Sequence, residues 1–176
     1  KYLGTSDKRN YGYMFPLGLG YIAAVLKQAG HEVDGINLNH LDGTIKENLT
    51  NYLDKKKYDF VCTGNNAMGY VGTRKIIETV RTHSSNPKII LGGPIITSEP
   101  DLIFNDLHPD FGTLGEGDES IVELLDFIRK NKDLNNVGGI MFWEDHKPIF
   151  TGKRDPPKNL DKIPFPDLEV LGFSEY

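Results

Sequence analysis

The stretch Lys88-Ile89-Ile90-Leu91-Gly92-Gly93-Pro94 carries a short β-branched apolar run straight into two glycines and a proline. A run of that length reads as a buried strand, and the residues closing it read as a turn toward a helix, placed around Pro100 to Asp106. The pattern repeats on both sides. Upstream, Asp59-Phe60-Val61-Cys62-Thr63-Gly64 is a second apolar strand that runs into the polar loop Asn65-Asn66-Ala67-Met68-Gly69, and a helix follows from about Val71 to His83. Downstream, Asp110-Phe111-Gly112-Thr113-Leu114 runs into Gly115-Glu116-Gly117-Asp118 and then into a helix from Glu119 to Asn131.

Further out, the alternating apolar residues of His31 to Leu38 predict a strand, and Thr44 to Leu53 fits an amphipathic helix. The segment from Pro16 to Gly30 reads as one buried helix, with proline in its first turn and glycine at its C-cap. Strands alternating with helices imply a parallel sheet with right-handed crossovers. The fold class is therefore α/β, a flavodoxin-like or Rossmann-like open parallel sheet with helices on both faces. After Asn136 the pattern changes to a C-terminal β-hairpin, Val137 to Trp143 and Pro148 to Thr151 around Glu144-Asp145-His146-Lys147. Trp143, Phe142 and Phe150 would pack that hairpin onto the domain. Residues 1–136 form the α/β domain in this reading, 137–153 the hairpin, and 154–176 a proline-rich linker and tail. A doubly wound sheet also needs a strand before its first helix. Lys1 to Ser6 is either the end of that strand or marks its loss, and both termini suggest a fragment of a larger protein.

Composition narrows the function classes. The 176 residues carry a formal charge of −5, which supplies no basic field for a phosphate backbone and argues against nucleic acid. A single cysteine, Cys62, excludes an intrachain disulfide framework and a multi-thiolate metal site, and fits a reducing cytoplasm. Buried in an apolar strand, it reads as inert. No apolar run approaches the roughly 18 residues of a membrane span, and no secretory signal pattern opens the chain.

In an open parallel sheet, ligands bind beyond the carboxyl ends of the strands, where loops diverge and helix amino termini present unpaired N–H groups. Three glycine-bearing loops fall there: Thr63-Gly64-Asn65-Asn66, Gly92-Gly93-Pro94 and Gly115-Glu116-Gly117. Each glycine taken singly serves a tight turn; three such loops on one edge point to a ligand site. Gly18-Leu19-Gly20 is only part of a dinucleotide fingerprint, and no Walker A loop is present. Glu116, Asp118 and Glu119 are read as complementing a helix dipole rather than holding a cation. The five histidines are scattered, with no metal-spaced pair, although His40 follows a strand.

Pro16 to Leu26, Gly30-His31-Glu32-Val33, Leu91-Gly92-Gly93-Pro94 and Leu114-Gly115-Glu116-Gly117-Asp118-Glu119, in that order and spacing, resemble the cobalamin-binding domain at the front of cobalamin-dependent radical S-adenosylmethionine enzymes. The likeness spans about residues 12 to 166, and Ile163-Pro164-Phe165-Pro166-Asp167 looks like the lead-in to the radical domain. That domain's CxxxCxxC motif is absent from this sequence. The resemblance implies that the chain holds cobalamin on the three loops, while S-adenosylmethionine and a [4Fe-4S] cluster belong to the parent enzyme's radical domain. Cobalamin mutases and methionine synthase carry an Asp-x-His-x-x-Gly motif whose histidine ligates cobalt. Here the matching run is Asp7-Lys8-Arg9-Asn10-Tyr11-Gly12, and arginine cannot ligate a metal. A base-off cofactor without a histidine ligand is therefore expected. The alternatives on the same scaffold are a regulatory or sensory domain, or an enzyme domain binding flavin or a nucleotide sugar. A phospho-receiver fares poorly, since the strand ending Thr63-Gly64-Asn65 offers no aspartate.

Overall fold

A computed structural model of the chain describes residues 15–175. Lys1 to Ser6 and Asp7 to Gly12 lie outside the described residues. Among the described residues five strands form one sheet, in the order β1 (Phe60–Gly64), β2 (Lys88–Gly92), β3 (Phe111–Thr113), β4 (Ile140–Glu144) and β5 (Lys147–Phe150). The first three run parallel, with Phe60 beside Lys88 and Ile90 beside Phe111. The hairpin does more than pack on the domain, because β4 pairs antiparallel with β3 and extends the sheet itself. Asp145 and His146 turn that hairpin with φ of 48° and 61°, the left-handed geometry of a tight two-residue connection.

The strand period of two sends alternate side chains to opposite faces. Ile89, Leu91 and Met141 face one cluster with α2 (Ile45–Leu53), α3 (Tyr70–Thr82) and α5 (Pro100–Leu107). Ile90, Ile140 and Phe142 face the other with α1 (Leu17–Gln28) and α6 (Gly117–Arg129). Helices thus cover both faces. Thr44 caps α2 with a full capping box: its hydroxyl accepts from the Glu47 amide, and the Glu47 carboxylate accepts from the Thr44 amide. Such a cap is worth about 1 kcal/mol.

One expected element is corrected. Residues 31–37 join no sheet, although their exposure alternates along most of the segment as a strand's would. A strand exists only through its ladder partners, and among the described residues none pairs with this segment. Side chains moor it instead: the Tyr52 hydroxyl donates to the Gly35 carbonyl (2.8 Å), and Lys56 pairs with Glu32 and Asp34. A short helix, α4 (Pro94–Ser98), was also not expected and follows β2 directly.

The proline-rich region after Arg154 returns to the domain. The Asp167 amide donates to the Gly20 carbonyl (2.9 Å), Lys27 pairs with Asp167, and Leu171 is buried.

Candidate functional site: the carboxyl edge of the parallel strands

β1 and β2 both end on glycine, and their register sets Gly64 against Gly92. A Cβ on Gly64 would stand 2.6 Å from the Gly92 carbonyl oxygen, and one on Gly92 would stand 2.8 Å from Thr113 Oγ1. Those distances are below contact, so the strand ends close up only as bare backbone. Thr113 and Thr63 are buried beneath, while Asn65, Asn66, Pro94, Gly115 and Glu116 are exposed above. The edge is a ledge of main chain with short polar side chains along its rim.

The three loops are hydrogen-bonded to one another. The Ile95 amide donates to the Asn65 carbonyl (2.9 Å), which ties the β1 loop to the start of α4. The Thr97 hydroxyl donates to the Gly93 carbonyl (3.1 Å) and accepts from the Gly115 amide (3.1 Å), which ties the β2 loop to the β3 loop. Gly93 holds φ of +82°, with the Asn65 carbonyl oxygen 3.2 Å from where its Cβ would be. A β-branched or bulky residue would meet both obstacles at once. Within the first loop, Asn65 Oδ1 accepts from the Asn66 amide, and Asn66 Oδ1 accepts from the Gly69 amide. Both asparagines are therefore turn formers, with donor groups left for a ligand.

All ten sequence-predicted residues lie on this edge: Thr63, Gly64, Asn65, Asn66, Gly92, Gly93, Pro94, Gly115, Glu116 and Gly117. Two sit differently from expectation. Pro94 opens α4, and Gly117 lies in the first turn of α6 beside Thr113 and Ile22, with Glu116 as its N-cap. Thr97 is the residue that sequence reasoning missed. Its role becomes visible only once α4 exists, because one helical turn carries its hydroxyl back to Gly93.

Charge at this edge is modest. The Asp118 carboxyl is raised above the usual aspartate range by burial first, and then by Glu116 and Glu119 nearby. Glu119 and Glu123 are occupied by Arg154. None of the three loops carries a histidine. The His40 ring faces the Asn37 amide at 3.3 Å, and His83 bridges Ser85 and Asp54. Among the described residues no group of three or more His, Cys, Asp or Glu could hold a metal ion. Burial pushes the Cys62 thiol up to about 12, an inert thiol at neutral pH, although the residue as a whole is half-buried rather than fully enclosed.

Two cavities lie elsewhere, one of about 350 Å³ beside β1 and one of about 330 Å³ lined by Arg81, His108, Trp143 and His146. The ledge is not an enclosed pocket. No described helix is long and apolar enough to cross a membrane.

Comparison with known proteins gives this geometry a context. The family model of the B12 binding domain matches residues 9–125. An uncharacterized methyltransferase of Pyrococcus horikoshii is 25% identical over 166 residues, covering 92% of this chain and 35% of that protein. The cobalamin-dependent S-adenosylmethionine radical enzyme OxsB, solved with aqua-cobalamin bound, superposes with a TM-score of 0.79 at 18% identity, over 97% of this chain and 24% of its own. The radical S-adenosylmethionine methyltransferase TsrM from Kitasatospora setae, solved with cobalamin and a [4Fe-4S] cluster bound, gives 0.72 at 16% identity, over 89% of this chain and 30% of its own. The chain spans about a third or less of each of these proteins. At such identities the two superpositions establish the fold.

Proposed function

We propose, from the premise that this chain belongs to the B12-binding domain family, that it holds cobalamin over the carboxyl edge of its parallel strands. In this reading it is the cofactor-carrying part of a radical S-adenosylmethionine enzyme of the methyltransferase or cyclase type. The observation that carries the reading is the ledge itself: two facing glycines where side chains cannot fit, and three loops tied into one surface by Ile95 and Thr97. A large planar macrocycle needs such a side-chain-free floor. Its amide rim needs the short donors and acceptors that Asn65, Asn66 and the Gly93 and Gly115 backbone supply.

Thr63, Gly64, Asn65 and Asn66 would hold one side of the ring, Gly92, Gly93 and Pro94 its middle, and Gly115, Glu116 and Gly117 the other side. Bound there, cobalamin would supply cobalt-centred group transfer. The protein's part is to bind, orient and shield it. None of these loops carries a histidine that could ligate cobalt, so in this reading the cofactor would be held base-off without a histidine ligand. S-adenosylmethionine and the [4Fe-4S] cluster belong to a radical domain of the parent enzyme, which would close over the ledge. Mixing the protein with hydroxocobalamin and desalting tests this. Near-stoichiometric retention of corrin absorbance is expected, and complete loss at micromolar protein contradicts it. Flavin absorbance in the purified protein would favour a flavin-binding domain instead.

A further inference from the structure

The cavity of about 330 Å³ sits at the amino ends of the parallel strands, lined by Arg81, His108, Trp143 and His146. Separate elements bring these side chains together. Arg81 stands in the last turn of α3, His108 is the left-handed C-cap of α5 (φ 50°), and His146 closes the turn between β4 and β5 at φ 61°. The walls are held from behind. Arg81 Nη2 donates to the His108 carbonyl (2.9 Å) and pairs with Asp110 (2.7 Å). The His108 ring lies 4.7 Å from the Trp143 ring at an angle of 11°, and the Trp143 indole N–H donates to the Pro109 carbonyl (2.7 Å). A guanidinium pinned through one nitrogen and an imidazole stacked on an indole lose little further freedom when a ligand arrives.

The balance of donors and acceptors identifies the ligand. The acceptors around the cavity are already used: the His108 and Pro109 carbonyls by Arg81 and Trp143, and the Asp110 carboxylate by Arg81, Lys88 and the Ile89 amide. Asp106, the other carboxylate that feels His108, is taken up by Tyr70 and Arg74. Donors are left over. Among the described residues Arg81 Nε and Nη1 have no hydrogen-bond partner, and neither do the rings of His108 and His146. An imidazole keeps at least one N–H in either protonation state. Among the described residues no acidic side chain lines the cavity.

A cation and unpartnered donors, with the nearby acceptors spent, are complementary to an oxyanion. The donors come from three elements, which suits a tetrahedral phosphate with oxygens on every side better than a planar carboxylate. The volume falls in the range of small-molecule sites and leaves room for an organic group beside the phosphate. We infer that this cavity binds the phosphate of a small phosphomonoester. It lies at the end of the sheet away from the glycine ledge, so the inference does not depend on what the ledge holds.

The test follows the imidazole signals of the chain's five histidines by NMR while inorganic phosphate replaces chloride at fixed pH and ionic strength. Saturable shifts are expected at His108 and His146, with His31, His40 and His83 unmoved. His146→Gly suits the left-handed turn and removes one donor, whereas Arg81→Lys keeps the charge and removes the planar fork. Each should weaken phosphate binding at least about threefold. His146 is exposed at the hairpin tip, so its variant keeps the test intact even where Arg81→Lys loosens the fold through Asp110. Phenyl phosphate should bind at least as tightly as phosphate, and more tightly than benzoate. Shifts spread over all five histidines, shifts that do not saturate, or phosphate affinity unchanged by His146→Gly would overturn the inference. Benzoate binding as tightly as phenyl phosphate would overturn it as well.

Discussion

The two ends of the parallel strands are built on opposite principles. At the amino ends, Asp110 accepts from the Ile89 amide (2.8 Å) and pairs with Lys88 and Arg81, while Trp143 donates to the Pro109 carbonyl (2.7 Å) and stacks between Phe104 and His108. At the carboxyl ends of the same strands, side chains give way to glycine, and loops bond to loops through main chain and Thr97. One end is closed by its own side chains and so stabilises the fold. The other leaves its polar main chain at the surface, where a ligand can use it.

Four of the following five substitutions break this contrast or sharpen it, and the last defines how the ligand is held. Trp143→Ala removes the ring between Phe104 and His108 and should cost about 3 kcal/mol in denaturant unfolding. Hydroxocobalamin affinity of the folded protein should stay within about twofold. Gly64→Ala drives a methyl against the Gly92 carbonyl and should cost about 1–3 kcal/mol. Here stability and cofactor affinity should fall together, because the ledge is also the place where the strands meet. Unchanged affinity in this variant would separate the two strand ends less cleanly than proposed.

Asp110→Asn should cost about 1–2 kcal/mol at neutral pH, and its effect should depend on pH. Burial alone would raise this carboxyl, but the Ile89 amide, Lys88 and Arg81 outweigh it and hold the group below the usual aspartate range. Its stabilisation is therefore complete above the unfolded value of about 3.9 and is lost as pH falls through the lowered folded value. Urea midpoints of the native protein and the variant should converge in acid.

Gly115→Trp probes the other end with less disturbance. Nothing lies within 4 Å of its Cβ position, so the cost in the free protein is mainly the φ of +72°, about 1 kcal/mol. The indole would occupy the ledge, and hydroxocobalamin affinity should drop at least about tenfold, close to 1.4 kcal/mol. His40→Ala should have the smallest effect, leaving the spectrum of the bound cobalt unchanged. Loss of an axial-nitrogen signature would show that His40 ligates the metal.

Much of this was legible in the sequence because it is local. Ile89 to Leu91 forms its strand where the β-branched apolar run predicts, and α2 lies where the amphipathic pattern from Thr44 to Leu53 places it. The three loops fall at strand ends because chain order alone puts them there. What escaped is whatever depends on a partner distant in the chain. Residues 31–37 have a strand's alternation, but among the described residues no strand pairs with them. The hairpin was visible as a hairpin, but its pairing with β3 is a tertiary contact that no turn residue encodes. Thr97 escaped for a third reason: Pro94 was read as the end of a turn when it opens a five-residue helix.

The contrast between the strand ends is tested most directly by following amide hydrogen exchange while hydroxocobalamin is added. Protection should appear at 63–66, 92–93 and 115–117, with the amides of His108, Asp110 and residues 143–146 unchanged. Protection at the amino ends, or binding that protects neither end, would contradict the assignment of the cofactor to the glycine ledge.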